Sequence, residues 1–175
     1  MLQKMKAGLI AEGLRHSKSW KSLLAGFLVA GATCGVAIGI AWATPGQGIS
    51  TTIIAGPTEL DEVHLNILSE TNHVKIKTTG LSDVYVVKNT IVPGGHTGWH
   101  SHPGPSIISV VSGQATEYRS DDPEGIVHAV GTAFVDEGGD HAHLMVNEGT
   151  TDLVLVAFQI LPAGAPRRID VPAPQ

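Results

Sequence analysis

Two pairs of histidines carry the strongest chemical signal in this sequence. His100 and His102 close the stretch Gly94-Gly95-His96-Thr97-Gly98-Trp99-His100-Ser101-His102, and His141 and His143 close Gly138-Gly139-Asp140-His141-Ala142-His143. Successive side chains of a β-strand alternate faces, so residues two apart project to the same side. His100 and His102 together therefore make half a metal site, which needs a further imidazole from a distant strand to surround an ion. Taken singly, each histidine reads equally as a surface or hydrogen-bonded residue. Their joint spacing is what points to metal.

Gly94 is followed by five residues, His100, one residue, His102, three residues, Ser106, six residues and Gly113. This resembles the first motif of the cupin family: glycine, five residues, His-x-His, three or four residues, glutamate, six residues, glycine, with Ser106 where the family has its glutamate ligand. No other carboxylate lies between His96 and Glu117. Gly131, Gly139, His143 and Asn147 follow the order of the family's second motif, with Glu137 in place of a proline and one extra residue before His143. The resemblance covers roughly residues 80 to 160. It implies an all-β, small jelly-roll barrel with a metal inside it. It also implies His100, His102 and His143 as ligands of a divalent ion, whether Fe, Mn, Zn, Cu or Ni. The family hosts many chemistries, so no single reaction follows.

Ser106 is the informative departure. A serine hydroxyl is neutral near pH 7 and a poor ligand beside imidazole, so the coordination shell loses one negative charge. Three neutral imidazoles around a divalent cation favour an anionic or chelating ligand and leave positions open for it. Some cupin dioxygenases have a three-histidine iron site without the carboxylate, and this pattern resembles theirs. The alternative is a degenerate site that binds metal weakly or not at all. His141 shares a face with His143 and reads as a fourth ligand, as a mouth residue, or as the third ligand if the extra residue shifts the register. His96 reads as a loop residue at the barrel mouth that could orient a substrate or relay protons near neutral pH. Trp99 alternates away from His100 and reads as packing. Asn147 either bonds across a strand pair or closes a turn with Glu148-Gly149. Of Glu117 and Tyr118, whichever faces inward could act as an acid or base. His64, His73 and His128 match no motif and read as structural.

The elements that must position these residues are short strands. Branched and aromatic residues mark strands over Val63 to Leu68, Val74 to Thr79, Asp83 to Val92, Ser106 to Ser112 and Ala115 to Arg119. Further strands follow at Ile126 to Val130, Ala133 to Asp136, His143 to Asn147 and Asp152 to Leu161. Pro93-Gly94-Gly95 is expected to break the ladder, Thr44 to Pro57 to be a linker or an early edge strand, and Pro162 to Gln175 to be an extended strap or disordered. No helix is expected after residue 43. Short strands with Gly/Pro turns indicate an antiparallel sandwich or barrel. The organisation expected is a leader over 1–43, linker and early strands over 44–79, a barrel core over 80–161 and a tail over 162–175.

Residues 1 to 21 carry five basic side chains against Glu12, and Ser22 to Ala43 is uncharged and mostly apolar, ending in the small-x-small triplet Ala41-Trp42-Ala43. This reads as a signal peptide or a transmembrane anchor helix with its basic end in the cytoplasm, which exports the rest to a periplasmic or extracellular location. Cys34 lies in the apolar run, so the domain has no disulfide. The chain as a whole is −5 and its first 21 residues +4, which leaves −9 beyond them. Such a domain has no footprint for nucleic acid and is repelled by anionic lipid, so membrane contact is expected only through the N-terminal segment. The function expected is an exported, metal-dependent, oxygenase-like cupin acting on a small organic molecule. A metal-dependent isomerase or lyase and a non-catalytic binding module are the alternatives. A homodimer is left open.

Overall fold

The computed structural model describes residues 43–122 and 124–174. The basic head and nearly all of the apolar run lie outside them, as does the anchor reading. Among the described residues every regular element is a strand, and no helix is long and apolar enough to cross a membrane.

The sheet is organised on two strands, β4 (Ser82–His96) and β11 (Leu153–Pro162), antiparallel from Ser82↔Pro162 to Ile91↔Leu153. Here β4 is numbered after β1 (Gln47–Leu60), β2 (His64–Leu68) and β3 (His73–Lys77). The other edge of β4 is covered by β1, whose pairing reaches from Leu60↔Ser82 to Gln47↔His96. The segment expected as a linker or edge strand is thus an outer strand, and its register shifts beside Pro57, where the missing N–H breaks the ladder. On the far side of β11 lie β6 (Ser106–Ser112) and then β9 (Ala133–Asp136).

The remaining strands complete a nearly closed barrel. They are β5 (His100–Ser101), β7 (Ala115–Arg119), β8 (Ile126–His128), β10 (His143–Val146) and β12 (Ile169–Asp170). At the expected break, Pro93-Gly94-Gly95, β4 continues as strand but changes partner. Pairing with β11 ends at Ile91, and the strand resumes against β10 at His96↔Val146. Gly94 sits there at φ +75°, a conformation glycine adopts without strain. The C-terminal tail is an extended strap, and its β12 pairs with β5.

Period-two alternation fills the interior. Tyr85, Val87 and Ile91 of β4, Ile108 and Val110 of β6, and Leu153, Leu155, Ala157 and Leu161 of β11 are all buried. Each fully buried leucine is worth about 2 kcal/mol in removed apolar surface. The same parity also buries polar residues: Ser106 on β6, Glu117 on β7, Asp136 on β9, His143 on β10 and Gln159 on β11. Ser106 and Gln159 are hydrogen-bonded to each other, and Glu117 and Asp136 both lie beside His143. By contrast β2 and β3 form a separate hairpin, exposed along its length.

Candidate metal centre

His100 and His143 are directly opposed between β5 and β10, and their Nε2 atoms lie 3.1 Å apart. With His102 they offer three nitrogen atoms all within 4.8 Å of one another, in residues no more than 5% exposed. The strand-period argument therefore brings His100, His102 and His143 to one point, and the group could hold a metal ion. His96 stays outside it, half-buried, with its Nδ1 accepting from the Gly98 amide at 3.1 Å. His141 is exposed and stands beside a second cavity behind His143.

Two of the imidazoles have their tautomers set by backbone. His100 Nδ1 is 2.8 Å from Gly98 O and His102 Nδ1 is 2.6 Å from Arg167 O. A carbonyl only accepts, so both Nδ1 atoms carry hydrogen and both Nε2 atoms present lone pairs, as a metal requires. The 3.3 Å approach of Gln159 Nε2 to His102 Nδ1 is then a contact rather than a hydrogen bond. Burial lowers the pKa of both rings. For His100, the neighbouring His143 and Arg168 act in the same direction. His102 is lowered to about 4, burial outweighing its bond to Arg167 O and the nearby Asp136. Both rings are thereby kept neutral and ready for a cation.

Behind His143 lies a buried acidic pair. Glu117 Oε1 is 3.6 Å and Asp136 Oδ1 is 3.8 Å from His143 Nδ1. Of the two residues on β7 that could face inward, Glu117 does, while half-buried Tyr118 donates to Glu148 Oε1 at 2.7 Å. Glu117 is also bound by Arg119 Nη2 at 3.0 Å and His128 Nε2 at 2.9 Å. His128, assigned no role by spacing, thus belongs to the support of the site, its ring stacked on Phe134 with centroids 3.7 Å apart. Neither carboxylate is within hydrogen-bond distance of His143 Nδ1, which is buried without a partner, so the pair places negative charge behind the ring without fixing it.

Ser106 is fully buried, and Gln159 Nε2 donates to its Oγ at 3.0 Å. Asn147 fulfils both of its expected roles: Nδ2 donates to Ile91 O at 2.8 Å, and Oδ1 accepts from the Gly149 amide at 3.0 Å. Trp99 does not line the site. The open side of the imidazoles faces a cavity of about 230 Å³, bordered by Gln159, Thr51, Asn89, Arg167 and Arg168. Sequence reasoning missed Asp136, Gln159 and the two arginines. The signal for the first two was a polar residue on the buried parity of an otherwise apolar strand.

No family model matches this chain, and no curated protein does. Among solved structures, the polyketide cyclase RemF from Streptomyces resistomycificus superposes with a TM-score of 0.51 at 16% identity, covering 73% of this chain and 74% of its own. A cupin superfamily protein from Desulfitobacterium hafniense gives 0.45 at 9% identity, covering 65% of this chain and 77% of that one. A double-stranded β-helix protein from Klebsiella pneumoniae gives 0.44 at 19% identity, with 63% and 85% covered. The likeness to the cyclase, at 16% identity, is one of fold alone, and the reaction has to be read from the site. The chain is an all-β, nearly closed barrel, and what it shares with the cyclase is that fold.

Proposed function

We propose that this chain is an exported, metal-dependent enzyme of the oxygenase type that acts on a small anionic organic molecule. The observation that carries the reading is the convergence of three buried imidazoles, two with Nδ1 tied to a backbone carbonyl, at the wall of a cavity bordered by two arginines. A divalent ion held by His100, His102 and His143 would supply Lewis acidity or hold dioxygen beside a chelating substrate. The chain's own residues do the rest. Arg168 is fixed by a 2.7 Å bond from Nη2 to Thr97 O, and with Arg167 it offers positive charge to a carboxylate or enolate. Gln159, held between Ser106 Oγ and Arg167 Nη1, presents a neutral amide on the cavity wall. Met145, Ile108, Leu155 and Ala157 close the floor and exclude water.

A non-catalytic binding module is favoured by one observation. The two buried carboxylates, Glu117 and Asp136, border the cavity behind His143 rather than the one the imidazoles open on, and the carboxylate that does border the latter, Asp170, is paired with Arg168. Oxygen uptake by the protein reconstituted separately with Fe(II), Mn(II), Ni(II) and Cu(II), on a panel of small hydroxy and keto acids, decides between the readings. Turnover that consumes oxygen supports the oxygenase, and anaerobic turnover supports a lyase or isomerase. Ligand-induced thermal shifts without turnover under any metal support the binding module.

A further inference from the structure

We propose that Asp136 supplies the carboxylate ligand that Ser106 does not, so that the centre is three histidines and one aspartate, with the acid delivered from the neighbouring strand. The inference rests on the metal reading above and names a residue that motif spacing does not reach. Strands β6 and β9 are antiparallel and place Ser106 directly opposite Asp136. Residues opposed across a ladder project to the same face, with Cβ atoms about 5 Å apart. A carboxylate on β9 can therefore enter the space that a longer side chain at position 106 would fill. Ser106 Oγ is already engaged, accepting from Gln159 Nε2.

The state of Asp136 supports this assignment independently. The residue is 5% exposed, and its Oδ1 accepts from the Gly138 amide at 3.1 Å. Its Oδ2 is buried with no hydrogen-bond partner, and lies 3.7 Å from His102 Nε2. A buried carboxylate oxygen without a donor is costly and calls for a charge to answer it. Two donors each about 2.1 Å from one ion stand about 3.4 Å apart at the tetrahedral angle. The observed gap to His102 is thus close to that between neighbours in one coordination shell, and a bound ion would draw the carboxylate in toward His100 and His143, since it stands outside the 4.8 Å group that the three imidazoles form. The backbone holds the geometry in place. Gly138 sits at φ +72° where a Cβ would meet Gly104 O at 2.3 Å, and the Gly139 amide donates to His102 O at 2.7 Å. The loop carrying His102 is in this way fastened to the end of the strand carrying Asp136.

The test is a double-substitution cycle on the full-length chain, stripped of metal and titrated with Mn(II) and Co(II) by calorimetry, with melting curves of the apo forms to check folding. Asp136→Asn keeps the shape and the bond from Gly138 but removes the charge, and should weaken Mn(II) binding at least tenfold. Adding Ser106→Glu to it should restore affinity to within about threefold of the parent, since the new carboxylate reaches the same space from β6. Ser106→Glu alone should gain less than threefold, the position being already filled. This last variant keeps the proposal testable if Asp136→Asn does not fold, because a tenfold gain from Ser106→Glu alone would overturn it. Unchanged affinity in Asp136→Asn would also overturn it. Weakened binding without rescue would make Asp136 a positioning residue for His143 instead. A parent that binds no metal would remove the three-histidine reading as well, whereas a parent that binds beside an unaffected Asp136→Asn removes only this assignment.

Discussion

Replacing Glu117 with glutamine tests whether the buried pair behind His143 stabilises the barrel and tunes the site. The side chain is 1% exposed and accepts from Arg119 and His128. Burial alone raises its pKa, but His143, Arg119 and His128 more than reverse that and hold the carboxyl at about 2, against 4.5 when free. An interval of about 2.5 pH units between folded and unfolded chains corresponds to about 3 kcal/mol. The folded pKa is depressed, so this contribution is complete above pH 4.5 and is lost as pH falls through 2. Glu117→Gln keeps volume and an accepting oxygen but not the charge. It should therefore cost about 3 kcal/mol at pH 7, lowering the urea midpoint by about 1.5 M for an m-value near 2 kcal/mol/M. The difference from the parent should shrink steadily below pH 4.5. Metal affinity should fall about 10-fold to 100-fold at pH 7, because His143 loses the anion behind its ring. Urea titrations of both apo proteins at pH 7 and pH 3 check the first claim. A cost under about 1 kcal/mol at pH 7, or one of equal size at both pH values, would show that Glu117 acts by packing and refute the electrostatic argument.

Other outcomes follow from the same geometry. The unfolded chain protonates His102 near pH 6.5 but the folded chain only near 4, so the apo barrel should lose about 3 kcal/mol through this residue as pH falls between those values. His100 acts in the same direction, and urea midpoints at pH 7 and 4 measure the loss. Arg168→Gln should weaken binding of a small dicarboxylate such as oxalate about tenfold in calorimetry while leaving metal content unchanged. The proposed export predicts a mature chain that begins at Thr44, whose Oγ1 already accepts from the Trp99 amide at 2.9 Å. Intact N-termini on protein that resists carbonate extraction would establish an anchor instead.

How far the site was legible follows from what sets each residue's position. His100, His102 and His143 could be read because strand parity and motif spacing are properties of the chain itself. The strands around them carry branched runs bounded by glycine and proline, and nine of the expected strands have counterparts. The outer strand Gln47–Leu60 is harder to read because its residues are mostly exposed and mixed in character. Its pairing with β4, not its composition, makes it a strand. Asp136 left the trace of a polar residue on the inward parity of its strand, but its place beside the imidazoles depends on the Ser106↔Asp136 register, a relation between strands that spacing along the chain does not encode. The backbone carbonyl of Arg167 was equally out of reach, since no side-chain pattern announces that a tail will return to fix an imidazole. Glu117 and Gln159 did leave a trace, as polar residues on the inward parity of their strands.

The central claim is tested most directly by the metal content of the full-length protein after reconstitution and desalting, measured by elemental analysis beside His102→Ala. About one tightly held divalent ion per chain in the parent and none in the variant is the predicted result, because two imidazoles left on β5 and β10 no longer surround the ion. Retention of the same metal content in His102→Ala, or none in the parent under any metal, would contradict the account.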